Sequence, residues 1–279
     1  MKINWFPGHM TKALRMMEKE IKVVDTVIYV LDSRAPKSCV NPELTKLAGN
    51  KPIIYVLNKA DMAPKAELSK WVKYFKSPNS EAVMLNSTSS SSAKIIISII
   101  KKLLAPKIEA KAQKGITKII RAMVVGVPNS GKSTLINNLC GKGKTMTGNK
   151  PGVTRGKQWV MVDGIEILDT PGTLWPSFED HNTALNLAYI GSIKDDVLDV
   201  AELAFSFLGQ IKGKFNTEIG ERYKINIENT DETLEIFDSI CRARKAILRD
   251  GDFDYERAAR VIIDDFRHGK FGKIILDNL

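Results

Sequence analysis

The sequence predicts an α/β protein: a doubly wound, mostly parallel sheet followed by a small all-helical domain. Three observations carry this. Short apolar runs rich in branched and aromatic residues alternate with helical patterns. The glycine-rich segment Gly126-Val127-Pro128-Asn129-Ser130-Gly131-Lys132-Ser133 stands between a strand pattern and a helix pattern. Beyond Leu174 the pattern becomes helical, with apolar residues recurring at one-face spacing.

Taken in order, residues 11–24 place Ala13, Leu14, Met17, Ile21 and Val24 on one helical stripe, with Thr11 as a cap. Residues 27–31, 53–57 and 82–85 are short apolar runs ending in polar loops, the pattern of buried parallel strands. Helical patterns separate them over residues 65–75 and 94–104, and the serine-rich residues 87–92 form a loop. Residues 106–118 hold lysines with few large apolar side chains and are expected to be an exposed connector. A strand over residues 121–125, the glycine-rich loop, a helix from Lys132 to about Cys140 and a basic loop to Gln158 follow. Residues 159–162 and 165–168 then read as two strands joined by Asp163-Gly164, a hairpin turn signal. Val200, Leu203, Ala204, Phe207, Leu208 and Ile211 share one helical face, and residues 231–249 and 254–267 repeat the pattern. We expect domains over residues 1–180 and 195–279.

At 279 residues, 43% hydrophobic and 27% charged, the chain can bury a core for one medium and one small domain. Cys39, Cys140 and Cys241 lie far apart and form no disulfide or zinc pattern with the histidines. No apolar run reaches the eighteen or so residues of a membrane span, and no leader segment is readable, so the expectation is a cytoplasmic protein without membrane partners. The formal charge is +10 and uneven: roughly 13 basic and 16 acidic residues follow residue 197, against roughly 29 and 16 before it. Such a balance favours a polyanionic partner, chiefly nucleic acid.

The motifs name a nucleotide site. In GxxxxGKS the glycines let backbone amides wrap phosphates, Lys132 reaches the terminal phosphates and Ser133 offers its hydroxyl to Mg2+. Asn129, Ser130, Gly131 and Thr134 complete the phosphate-binding set. Asn58-Lys59-Ala60-Asp61 selects the base, because the Asp61 carboxylate can accept the imino and amino hydrogens that guanine has and adenine lacks. Asn58 braces the loop, the Lys59 stem covers the purine face, and Asn86, Ser87 and Thr88 supply donors nearby. Asp169-Thr170-Pro171-Gly172 follows a strand, where Asp169 can hold the metal's water shell and the Gly172 amide can sense a γ-phosphate. Thr154, in the loop 148–156, is the candidate switch ligand to the metal, with Thr145 and Thr147 as alternatives. The base-reading box precedes the phosphate loop, the reverse of the usual order in small GTPases, so the α/β part reads as a circularly permuted P-loop GTPase domain.

With WFPGHM at the start, Asp32-Ser33-Arg34-Ala35-Pro36 with Asn41-Pro42, NKAD, GVPNSGKST, PGVTRG and DTPGTLWP, the chain resembles the RbgA/YlqF family of circularly permuted GTPases over nearly its whole length. The resemblance implies a permuted GTPase domain followed by a helical RNA-binding domain. It also implies GTP and GDP as ligands and the large ribosomal subunit and its rRNA as partners, with no DNA. The family lacks the glutamine that orients the attacking water, and Thr173 and Leu174 stand there in this chain. The resemblance points instead to His9, whose ring suits water orientation or proton transfer. Asn129 matches the position that helps hold K+ in related potassium-activated GTPases. The slightly acidic C-terminal part leaves local RNA patches at Arg242, Arg244, Lys245 and Arg249, or at Arg267, Lys270 and Lys273, with the loops 101–121 and 142–157 sharing the contact.

The resulting expectation is a GTP-hydrolysing assembly factor, slow alone and stimulated by the large subunit, which hydrolysis releases. A constitutive RNA-binding factor with a structural nucleotide, and a GTPase acting on tRNA or a protein partner, remain open. An ATP-dependent phosphotransferase would leave Asp61 without a task.

Overall fold

The computed structural model describes residues 8–115, 118–141, 158–178, 180–228 and 231–279. Six strands, β1 (Thr26–Asp32), β2 (Ile53–Asn58), β3 (Ser80–Met84), β4 (Ile120–Val125), β5 (Gln158–Val162) and β6 (Ile165–Asp169), form one sheet in the order β3-β2-β1-β4-β6-β5. All neighbours pair in parallel except β5 on β6. That antiparallel pair turns at Asp163 (φ 49°) and Gly164 (φ 79°), the two left-handed residues that a tight hairpin turn requires. The α/β fold class is thus as the apolar runs predict.

Both faces of the sheet are covered, which is why the strands are nearly continuous in apolar residues. Ile28, Val30, Ile54 and Val56 face α4 (Ser92–Ala112) and α5 (Lys132–Cys140). The alternate residues Val27, Tyr29, Leu31 and Leu57 face a second core that takes in α1 (Gly8–Glu20), α2 (Pro42–Ala48) and α3 (Lys65–Phe75). This second core continues without a break into α6 (His181–Tyr189), α7 (Val200–Ile211), α8 (Asn216–Tyr223), α9 (Thr233–Arg244) and α10 (Tyr255–Arg267). All six residues of the predicted α7 stripe are buried.

Three local expectations need correction. Helix α1 begins at Gly8, so Thr11 lies inside it and not at its cap. The earlier start follows from Met10, which is fully buried and whose Sδ accepts the Leu174 amide at 3.4 Å. Helix α4 runs through Pro106 to Ala112, so much of the expected connector is helical. Ile108 packs on the sheet side while Lys107 reaches Asp25 at 2.7 Å, which ties the extension down. Helix α6 escapes a one-face reading because Ala184, Leu185, Asn186, Leu187, Ala188 and Tyr189 are all buried. Its cap is Asp180, which accepts the amides of Asn182 (3.0 Å) and Thr183 (3.2 Å).

Candidate nucleotide site

The strands β1, β2, β4 and β6 end together, and the loops that follow them carry the chemistry, as expected at the carboxyl edge of a parallel sheet. A cleft of about 840 Å³ opens there, lined by His9, Arg34, Lys59, Asn129, Lys132, Ser133 and Gly172 among others. Three segments that are remote in sequence, the chain start, the base-reading box and the phosphate loop, therefore share one cavity.

Asn58 is buried and joins the two nucleotide loops. Its Nδ2 donates to the Ser130 carbonyl at 2.8 Å, and its Oδ1 accepts the Ser87 amide at 2.9 Å. Gly131 must be glycine for this contact: its φ is 97°, and a Cβ would stand 2.1 Å from Asn58 Nδ2. Lys59 has a left-handed backbone (φ 56°), and its Nζ spans from Asp32 Oδ2 (2.8 Å) to the Asn129 carbonyl (2.9 Å). Asp61 follows in an exposed helical turn. Thr88 N donates to Asn86 Oδ1 at 2.9 Å, closing the neighbouring loop. Asn138 on α5 pins that loop by donating to the Ser87 and Ser89 carbonyls at 2.8 and 2.6 Å. Sequence reasoning missed Asn138, and an asparagine within a helix gives no local signal of such a role.

In the phosphate loop, Lys132 Nζ donates to the carbonyls of Val127 (2.8 Å) and Gly126 (3.1 Å). Burial pushes its ammonium down to about 8, against the opposing pull of Asp169. Ser133 lies in the first turn of α5, Thr134 beside it is exposed, and Asp169 closes β6 as a buried carboxylate. Hydroxyl and carboxylate oxygens are the hard donors that Mg2+ takes, with phosphates supplying the rest. Among the described residues no group of three His, Cys, Asp or Glu could hold a metal without such help. Thr154, Thr145 and Thr147 lie outside the described residues.

Gly172 approaches the phosphate loop so closely that a Cβ would meet Pro128 Cα at 2.7 Å and Lys132 Nζ at 2.9 Å. Gly172→Ala therefore displaces both, and crowding of this kind costs about 1–3 kcal/mol. Titration with a fluorescent non-hydrolysable GTP analogue should show affinity lowered roughly tenfold to a hundredfold, while the fold, followed by circular dichroism, stays intact. Thr173 and Leu174, which follow it, are fully buried and cannot present a side chain to water. His9, on the first turn of α1, is exposed on the cleft wall.

The cleft also touches the C-terminal helices. Asn129 Nδ2 donates to the Gly191 carbonyl at 2.5 Å, and Ser192 Oγ donates to the Pro128 carbonyl at 2.8 Å. Behind the cleft, Asp32 receives Arg34 through a two-pronged pair (Nε–Oδ1 2.9 Å, Nη2–Oδ2 2.7 Å) and Lys59 on the same Oδ2. Burial alone would push the Asp32 carboxyl up, but Arg34 and Lys59 together hold it well below the usual carboxylate range. The remaining arm of Arg34 donates to the carbonyls of Phe266 (3.2 Å) and Arg267 (3.1 Å), at the end of α10. Arg34 was legible as part of a motif but its partner was not.

The expected basic patches change accordingly. Arg267 is committed to Asp195 (2.7 and 2.8 Å) and to the Ala188 and Tyr189 carbonyls, so it braces α6 instead of facing solvent. Arg244 lies 4.9 Å from the Tyr223 ring centre and Lys270 pairs with Asp265 at 3.4 Å. Lys245 and Arg249 are exposed.

Comparison with known proteins agrees with this geometry. Residues 121–243 match the family described as 50S ribosome-binding GTPase. The chain is 39% identical to Ribosome biogenesis GTPase A of Bacillus cereus, over 99% of this chain and 94% of that one. It is 30% identical to the protein of the same name from Thermotoga maritima, over 98% and 93% of the two chains. Mouse Mitochondrial ribosome-associated GTPase 1 is 33% identical over 98% of this chain and 90% of its own. Among solved structures, GNP-bound YlqF from T. maritima superposes with a TM-score of 0.67 at 27% identity, over 96% and 98% of the chains. A GDP-bound structure of TM YlqF gives the same score at 25% identity, over 95% and 99%.

Proposed function

Because the chain belongs to the ribosome biogenesis GTPase A family, we propose that it binds the large ribosomal subunit precursor in its GTP form and leaves on hydrolysis. The family makes it a GTPase serving ribosome biogenesis. The observation that carries the finer reading is the pair of hydrogen bonds from the phosphate loop to Gly191 and Ser192, between α6 and α7. A change in the loop on loss of the γ-phosphate would reach the C-terminal helices through two bonds.

In this reading Asp61 accepts the guanine hydrogens, with Asn58, Lys59, Asn86, Ser87 and Thr88 shaping the base pocket. Asn129, Ser130, Gly131, Lys132, Ser133, Thr134 and the Gly172 amide hold the phosphates. Ser133, Asp169 and Thr154 would hold Mg2+, which would supply neutralisation of the phosphate charge. The Asn129 side chain is the residue for K+. His9 orients the attacking water or takes its proton, the task that buried Thr173 and Leu174 cannot perform. The large subunit and its rRNA are the partners, and the cytoplasm the site of action. Among the described residues no helix is long and apolar enough to cross a membrane.

The deciding experiment is GTP hydrolysis in potassium buffer with and without purified large subunits. Strong stimulation, together with particle binding that depends on the γ-phosphate, supports the reading. Equal rates with and without particles would sink it and leave a non-ribosomal target or a structural nucleotide. A second test concerns the base. In Asp61→Asn the carboxylate no longer accepts two hydrogens, and hydrogen bonds to a charged group contribute about 1.5–3 kcal/mol each. GDP affinity should fall roughly a hundredfold or more, while xanthosine diphosphate, which carries a carbonyl in place of the amino group, should gain. Unchanged preference in a competition assay would remove Asp61 from base recognition.

A further inference from the structure

At the opposite edge of the sheet, where β1, β2 and β4 begin, lysines gather around one carboxylate. Asp25 is almost wholly buried and accepts Lys107 Nζ at 2.7 Å, Lys118 Nζ and the Arg121 amide at 3.1 Å. Lys51 stands beside them, its Nζ on the Val24 carbonyl at 2.7 Å. The residues come from three places in the chain: Lys51 before β2, Lys107 on α4 and Lys118 before β4. One more lysine extends the group. Lys111 is exposed and lies one turn beyond Lys107 on the same face of α4, whereas Glu109 lies on the other side of the helix.

The charges do not balance. Two ammoniums and the Arg121 amide bind Asp25, and a third ammonium, that of Lys51, stands on the neighbouring Val24 carbonyl. Burial lowers the Lys51 ammonium's affinity for its proton, and Lys107 and Lys118 lower it further, with only Asp25 opposing. The Glu166 carboxylate is already paired with the Arg121 side chain, at 2.6 Å. Lys107 and Lys111 are exposed, so the surplus positive charge faces solvent.

We propose that Lys51, Lys107, Lys111 and Lys118 form an anchor for the phosphodiester backbone of RNA, on the edge of the sheet remote from the nucleotide. This rests on the ribosome reading above and deepens it. Several compact ammoniums along one edge suit successive phosphates, which lysine binds as a point charge without reading sequence. An RNA phosphate would supply the anion that the protein lacks here. The anchor sits away from the cleft and its loops, so its contribution is the same whichever nucleotide is bound. The switch then acts only on contacts made by the C-terminal helices, and the protein is held by two grips of which hydrolysis loosens one.

The test compares Lys51→Gln/Lys107→Gln/Lys111→Gln with a control of equal charge change on α3, Lys65→Gln/Lys70→Gln/Lys73→Gln. Lys118 is kept so that Asp25 retains a partner. Binding to a duplex RNA and to purified large subunits is measured across salt concentrations, with GDP and with a non-hydrolysable GTP analogue. The anchor variant should bind at least about tenfold more weakly near 0.1 M salt, and its plot of log affinity against log salt should flatten by roughly two to three units. The loss should be equal in both nucleotide states, with basal hydrolysis unchanged.

Equal losses in the anchor and control variants would show a general charge effect and overturn the proposal. So would a preference of this edge for an acidic peptide over RNA. If the wild type binds particles in a nucleotide-dependent way and the anchor variant does so equally well, only the anchor falls. If the wild type binds neither RNA nor particles, the ribosome reading falls with it.

Discussion

Arg34→Met should destabilise the protein by about 3–5 kcal/mol, the usual cost of removing one partner from a buried ion pair. Both members of the pair are almost inaccessible, at 2% exposure for Arg34 and 1% for Asp32. The substitution leaves Asp32 with Lys59 as its charged partner beside the residue-34 amide, removes the two donors that close the end of α10, and takes away the guanidinium that lies 5.1 Å from the Phe266 ring centre. Arg34→Lys should recover little, because an ammonium cannot make the two-pronged contact and reach the helix end together. Urea unfolding of the nucleotide-free protein at neutral pH measures the loss.

The pH dependence has a definite sign. Asp32 has its carboxyl held below the ordinary value of 3.8, so the pair stabilises fully above that pH. The contribution is surrendered only as pH falls below it. The gap between wild type and variant should therefore be widest near neutrality and narrow in acid. A loss below about 1 kcal/mol at neutral pH would mean that the pair's attraction barely exceeds its desolvation cost. The variant has a second effect, on the base pocket: with Asp32 no longer fixed by Arg34, Lys59 loses a defined anchor, and guanine nucleotide affinity should weaken along with stability.

His9→Ala should lower kcat by about a hundredfold to ten-thousandfold, the range that a positioned acid–base group supplies. The ring is exposed on the cleft wall, outside the core, so stability and GDP affinity should hardly change. Single-turnover hydrolysis with large subunits present, at matched nucleotide occupancy, separates the chemical step from binding. A variant that keeps wild-type kcat would assign the water to another group and leave His9 as a wall residue. A variant that loses kcat only with particles present would indicate that the particle brings the ring to the γ-phosphate.

The elements that sequence reading missed share a cause. Helix α6 hides because its residues from Ala184 to Tyr189 are buried on every side, the polar Asn186 included, so a one-face period cannot betray it. The extension of α4 past Pro106 depends on Lys107 finding Asp25, a partner 82 residues away. Arg267 looked like a solvated cation near the C-terminus, yet Asp195 and two carbonyls of α6 enclose it. In each case the deciding partner belongs to another segment, and no local pattern of residues names it.

The sequence by itself determined the parallel sheet and the hairpin at Asp163-Gly164, and it named the candidate nucleotide loops. Strand burial on two faces, left-handed turns and phosphate wrapping all demand particular residues at fixed short spacing. Only the tertiary structure decided that Asn58 joins the base box to the phosphate loop, that Arg34 carries Asp32 to the end of α10, and that Asn129 reaches Gly191. These are hydrogen bonds between groups 62 to 232 residues apart. Their geometry is set by how the two cores pack around the sheet, and that packing is a property of the whole chain.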